Sequence, residues 1–330
     1  MNFFNRKFIA LFLVAALSVL TLAGCSSTAA KKDDVTIRIA GLKGPTSIGM
    51  VKLMEDSEEG KAENNYEFTL AGSADEVTPK LLQGELDIAA VPANLAAVLY
   101  NNSEGQIQLL AVNTLGVIYI VERGDNIKTV ADLKGRTIYG SGKGSTPEYS
   151  LRYILEQNGL DPDADVNIEW KSEHTEVVQA LATEEGAIGL LPQPFVTVAQ
   201  SQLEDLQIAL DLTKEWEAAD ANSQMITGVL AVRTDFAKEH STALSSFLKE
   251  YAASVEYVNA NVDEAAELVE KFDIVKAAIA KKAIPYCNIV CISGADMVEP
   301  VKGYLQVLYD ANPKAVGGKL PGEDFYYTEN

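Results

Sequence analysis

The chain has 330 residues, 47 of them acidic and 27 basic, and a formal net charge of −20 at pH 7. A body that acidic is repelled by nucleic acid and by anionic membrane surfaces, which excludes both as partners bound through charge. An apolar content of 47% supports a substantial packed core, and the length suffices for two domains.

The N-terminus reads as an export signal. Arg6 and Lys7 precede an almost unbroken apolar run from Phe8 to Leu22, too short to span a bilayer and followed by small residues. Leu22-Ala23-Gly24-Cys25 resembles a bacterial lipobox, in which the cysteine thiol is acylated and becomes the mature N-terminus. Residues 1–24 are therefore expected to be a lipoprotein signal peptide and residues 25–34 a tether. Lipidated Cys25 would hold the mature chain on the extracytoplasmic face of the cell membrane. Arg6 and Lys7 leave with the signal, so the acidic excess of the mature body is larger still.

From Val35 onward, short apolar strands run into proline-bearing turns. Val35–Ala40 leads to Gly44-Pro45-Thr46-Ser47, and Leu86–Val91 leads to Pro92-Ala93-Asn94. Arg136–Tyr139 leads through Gly140-Ser141-Gly142-Lys143-Gly144 to Ser145-Thr146-Pro147, and Ala187–Leu191 leads to Pro192-Gln193-Pro194-Phe195. Proline suits the first turn of a helix, because its φ is already helical and its missing N–H would have had no partner there. Alternating strands and helices predict βαβ units and mostly parallel sheets. Ligands of such sheets bind beyond the carboxyl ends of the strands, against helix N-termini.

The intervening helices are amphipathic. Val77, Leu81 and Leu82 form an apolar stripe before Gly84, and Leu151, Ile154 and Leu155 form another before an Asn158-Gly159 stop. Phe247, Leu248, Tyr251, Val255 and Val258 recur at helical spacing and are core-facing. Cys287 and Cys291 flank a β-branched stretch, which favours two buried free thiols on a strand or loop over a disulfide. With His174 and His240 as the only histidines, neither a metal site nor a cofactor is expected.

Three stretches carry a resemblance to a known group. They are Leu81-Leu82-Gln83-Gly84-Glu85-Leu86-Asp87-Ile88-Ala89, then Ile127 to Thr137 followed by Gly144-Ser145-Thr146-Pro147-Glu148-Tyr149, and Gly228 to Arg233 followed by Asp235-Phe236. In these the chain resembles the substrate-binding lipoproteins of ABC importers, in the branch with nitrate, sulfonate, taurine and thiamine-precursor binders. The resemblance implies an α/β, two-lobed periplasmic-binding-protein fold of type II. Each lobe would be a mostly parallel sheet flanked by helices, and two crossing strands would join the lobes. Lobe one would comprise residues 35–122 and 225–330, and lobe two residues 123–224. The implied partners are a small-molecule ligand and an ABC permease with its ATPase, reached by a monomeric, lipid-anchored protein.

Candidate ligand contacts follow where the loops match. Lys43, Thr46 and Ser47 lie in the first turn, Asn94 in the second, and Ser145, Thr146 and Tyr149 in the glycine-rich third. Gln193 and Phe195 belong to the fourth, where a neutral amide replaces an acidic residue common in relatives and favours an anionic or uncharged ligand. The glycine-rich turn lacks the spacing of a nucleotide loop. The fold likeness extends to pyrimidine-synthesising enzymes, but their cysteine-rich motif is missing, and neither histidine is placed beside a nucleophile elbow. The chain is therefore expected to bind rather than catalyse. A ligand-sensing lipoprotein is the other reading open at this stage.

Overall fold

The computed structural model describes residues 35–220 and 222–328. The signal, the tether and Cys25 lie outside the described residues. Among the described residues two sheets are built from eleven strands: β1 (Thr36–Leu42), β2 (Asn65–Ala71), β3 (Ile88–Pro92), β4 (Ile107–Leu115), β5 (Ile118–Arg123), β6 (Thr137–Ser141), β7 (Asn167–Lys171), β8 (Ile188–Pro192), β9 (Leu206–Asp211), β10 (Ile226–Arg233) and β11 (Ile289–Ser293). The first sheet has the order β11-β4-β10-β3-β1-β2 and the second β7-β6-β8-β5-β9.

All four strand-to-proline passages are strand-to-helix junctions, opening helices Pro45–Ile48, Ala93–Asn102, Thr146–Gln157 and Phe195–Gln202. Pro45 and Pro147 sit in the first helical turn, whereas Pro92 and Pro194 stand one step earlier, at the N-cap. The sheets are mixed rather than mostly parallel. β1 pairs in parallel with β2 and β3, and β6 with β7 and β8, while β4, β5, β9, β10 and β11 pair antiparallel. The physical reason is the crossing: β5 and β10, which arrive from the other lobe, run against the βαβ strands β8 and β3 beside them, whereas β4 and β9, which leave, run with them. β5 lies wholly in the second sheet, so the first crossing falls at Gly116-Val117 rather than at residue 122.

Gly116 is required at this crossing. A Cβ there would come within 2.2 Å of Thr213 Oγ1 and 2.9 Å of Met225 Cε, both on the returning chain. The two crossings therefore pack against each other. One buried apolar cluster continues from Leu109 and Val112 of the first sheet to Ile120, Ile138 and Leu190 of the second. Tyr304, in helix Ala295–Ala311, packs on Trp216 with centroids 5.3 Å apart, and Trp216 packs on Tyr153 at 4.7 Å. Each such pair adds about 0.5–1.5 kcal/mol beyond area burial. Trp216 is thus core, with its indole N–H donating to Ser223 Oγ.

The resemblance motifs have structural explanations. Asp87 is buried and accepts from the Arg38 backbone N–H at 2.9 Å and from its guanidinium at 2.9 and 2.6 Å, with Arg233 at 3.5 Å. It therefore ties β1, the start of β3 and the end of β10 at the base of the first lobe. Thr129 and Asp132 cap a short 3-10 turn reciprocally, and its Val130 and Leu133 are buried. Leu82 is the exception in its stripe, 38% exposed while Val77 and Leu81 are buried. Cys287 and Cys291 are free thiols, Cys287 buried and Cys291 partly so; burial raises both pKa values, Cys291 to about 11.

Candidate ligand-binding cleft

The carboxyl ends of β1 and β3 face those of β6 and β8 across a cavity of about 110 Å³. Thr46, Pro92 and Thr227 line it from the first lobe, and Ser141, Ser145 and His174 from the second; Leu42, Ile118 and Pro192 supply apolar wall. A larger surface groove of about 850 Å³ includes Gln108, Lys249 and Asp324. It lies by the start of β4, at the far end of that strand from the crossing.

The second lobe presents two helix N-termini. Ser145 is the N-cap of Thr146–Gln157, and Glu173 is the N-cap of His174–Thr183. The first N–H groups of such helices have no partner within the helix and carry the positive end of its dipole. Ser145 Oγ donates to Gly142 O at 2.6 Å, and Gly144 N–H donates to Glu148 at 2.6 Å, which closes the turn on itself. What this loop offers the cleft is the Ser145 hydroxyl oxygen and the backbone N–H groups of the first helical turn.

His174 Nδ1 lies 2.5 Å from Ser141 Oγ, and its ring packs on Phe195 at 4.8 Å. Burial pushes its pKa down to about 4, so the ring is neutral near pH 7. If Nδ1 accepts from Ser141, Nε2 carries the remaining N–H; if Nδ1 donates, the Ser141 hydroxyl keeps its proton and can donate it to another acceptor. In either tautomer the pair keeps one neutral hydrogen-bond donor for the cleft.

The nine residues singled out from sequence are placed unevenly. Thr46 and Ser145 border the cavity. Lys43 borders it too, but its ammonium pairs with Asp273 at 2.6 Å on the exposed side. Ser47 is fully buried and donates to Leu42 O. Asn94 and Thr146 face each other instead of the cavity: Thr146 Oγ1 donates to Asn94 Oδ1 at 3.3 Å, while Asn94 Nδ2 donates to Gly144 O and Ala315 O at 3.3 and 3.0 Å. They join the lobes. Tyr149 borders a shallow pocket with Arg152 and Glu156. Gln193 accepts from Thr197 N–H and Oγ1 within its own helical turn, and Phe195 covers His174.

Sequence reasoning overlooked Ser141, His174 and Thr227, together with Ser73 and Ser172 on the rim. The proline criterion selected four junctions and passed over the turns after β2 and β7, which have none. Ser172-Glu173-His174 directly after an alternating strand was the available signal.

Residues 57–283 match the profile of the family described as ABC transporter, phosphonate, periplasmic substrate-binding protein. The chain belongs to this family. No curated protein matches the sequence. Solved structures similar to this phosphonate-family binding protein include an ABC transporter from Parabacteroides distasonis, 23% identical with a TM-score of 0.73 over 90% of this chain and 100% of that one. The alkanesulfonate-binding protein SsuA from Xanthomonas axonopodis pv. citri, bound to MOPS, is 13% identical with a TM-score of 0.70 over 89% and 96%. The periplasmic nitrate-binding protein NrtA from Synechocystis PCC 6803 is 12% identical with a TM-score of 0.59 over 74% and 68%. At these identities the likeness is one of fold.

The depressed His174 pKa makes stability pH-dependent. Between its ordinary 6.5 and about 4 the unfolded ring holds a proton that the folded ring does not, so stability is lost as pH falls through that window and is unaffected above it. His174 is partly exposed, so solvent moderates the effect, and replacing His174→Gln should remove on the order of 1 kcal/mol of this loss at about pH 4.5. Denaturant melts of both proteins at pH 7 and 4.5 check it, and parallel declines would contradict it.

Proposed function

We propose that this protein is a lipid-anchored receptor that captures a small phosphonate-class anion between its lobes and delivers it to an ABC import permease. The observation that carries the reading is the cavity itself: two helix N-termini and the Ser141–His174 pair converge on about 110 Å³. Anions are stabilised at such N-termini without a cationic side chain. Size then discriminates among ligands. A dry cavity of about 150 Å³ holds the six heavy atoms of benzene, so this smaller cleft favours a compact group over a bulky one. That suits nitrate, methylphosphonate or methanesulfonate better than substituted pyrimidines and aromatic acids. The family to which the chain belongs favours the phosphonate among these.

Isothermal titration and thermal melts with methylphosphonate, methanesulfonate, nitrate and benzoate test the assignment. Methylphosphonate at one hundred times its Kd should add about 2.7 kcal/mol of stability, seen as a rise of several degrees in Tm. A shift with benzoate and none with methylphosphonate would sink the reading.

The anchor is supported by the Leu22-Ala23-Gly24-Cys25 motif and the polar Ser26–Asp34 stretch ahead of β1. No helix among the described residues is long and apolar enough to cross a membrane. Expressed with its own signal, the protein should partition into detergent-extracted membranes, and Cys25→Ser should move most of it to the soluble fraction. Unchanged membrane retention of the variant would refute lipidation at Cys25.

A further inference from the structure

Six buried side-chain polar atoms among the described residues have no hydrogen-bond partner in the protein, and two of them, Thr46 Oγ1 and Thr227 Oγ1, belong to residues that border the interlobe cavity. Thr46 is 6% exposed and Thr227 8%. A buried hydroxyl without a partner forfeits its hydration and gains nothing in return, so such groups are uncommon unless a ligand completes them. Two on one cavity wall call for a common explanation.

The local backbone holds both in place. The β10–β4 ladder shifts register between Ile226 and Gly228, which leaves Thr227 as the extra residue of a bulge. Bulges re-aim a side chain out of the regular alternation, and they recur beside binding sites. The next residue is glycine for a reason: a Cβ on Gly228 would lie 2.4 Å from Thr46 Cγ2 and 2.6 Å from Asn113 Oδ1. Asn113 Nδ2 in turn donates to Thr46 O at 3.2 Å and fixes that residue against β4. The bulge, the glycine and the asparagine thus set two hydroxyls on the first-lobe wall. Lys43, which also borders the cavity, is committed to Asp273. The wall is therefore neutral and both donates and accepts hydrogen bonds, whereas the opposite wall carries the helix N-termini.

We propose that Thr46 and Thr227 form a second half-site that reads a neutral hydrogen-bonding substituent on the ligand, so that the protein selects short hydroxyalkylphosphonates over alkylphosphonates. This rests on the phosphonate reading above. Hydroxymethylphosphonate exceeds methylphosphonate by one oxygen, and that oxygen supplies the partner both threonines lack. A site built to bond a substrate hydroxyl discriminates strongly against the analogue without it, because the protein groups are then left unpaired.

Isothermal titration of methylphosphonate and hydroxymethylphosphonate against the wild type, Thr46→Val and Thr227→Val tests the assignment. The wild type should prefer the hydroxylated ligand by about tenfold or more, and each valine variant should reduce that ratio toward one. The ligand-free Tm of Thr227→Val should equal or exceed that of the wild type, since the change removes an unpaired hydroxyl at nearly constant shape. Equal wild-type affinities for the two ligands, or a ratio unchanged in both variants, would overturn the half-site while leaving the phosphonate reading intact. A fall in the ligand-free Tm of Thr227→Val would also overturn it, by assigning that hydroxyl a structural bond. Failure of the wild type to bind either compound would instead overturn the phosphonate reading, and the half-site with it.

Discussion

The chain passes between its two sheets through a space that admits no side chain. Gly116 lies against Thr213 and Met225 of the returning segment, so outgoing and incoming crossings are packed as one unit. From that constraint the rest follows. The arriving strands β5 and β10 run against the βαβ strands beside them, which makes both sheets mixed. The carboxyl ends of β1, β3, β6 and β8 are brought face to face, and the helix N-termini at Ser145 and Glu173 border the gap between them. Tyr304, Trp216 and Tyr153 reinforce the connection on one flank, and Asn94 with Thr146 on the inside.

Much of this architecture was legible in the sequence because it rests on local chemistry. Proline after an apolar strand marks a helix start whatever surrounds it, and all four such junctions are present in the fold. Gly84 and Asp87 were also readable as a motif. Their role as the tie between Arg38 and Arg233 was not, since it depends on β1 and β10 meeting at the start of β3. The site was only half visible for the same reason. Polar residues in a junction were natural candidates, but Ser47, Asn94 and Gln193 spend their hydrogen bonds on their own turn or across the lobes. Conversely, Thr227 sits inside a regular-looking β-branched strand. Only its register against β4 reveals a bulge, and register is a long-range property.

The site's electrostatics are local. The chain as a whole carries a net charge of −20, yet the proposed ligand is an anion. Screening confines the influence of distant surface charge to about 8–10 Å at physiological salt, so the acidic exterior slows encounter more than it weakens the bound state. Within the cleft the groups that would hold the anion are backbone N–H dipoles, hydroxyls and a neutral histidine, and the exposed Glu173 carboxylate at its edge is an opposing charge. A neutral donor set favours a small, strongly accepting oxyanion whose oxygens can take many hydrogen bonds at once.

The central claim is that the ligand sits between the lobes and is held from both walls. A crystal structure of the protein grown with hydroxymethylphosphonate tests it most directly. The account predicts the phosphonate oxygens at the N-terminus of Thr146–Gln157 beside Ser141 and His174, with the hydroxyl within hydrogen-bond distance of Thr46 or Thr227. Density in the outer groove beside Lys249 and Asp324, with the interlobe cavity holding only water, would contradict it.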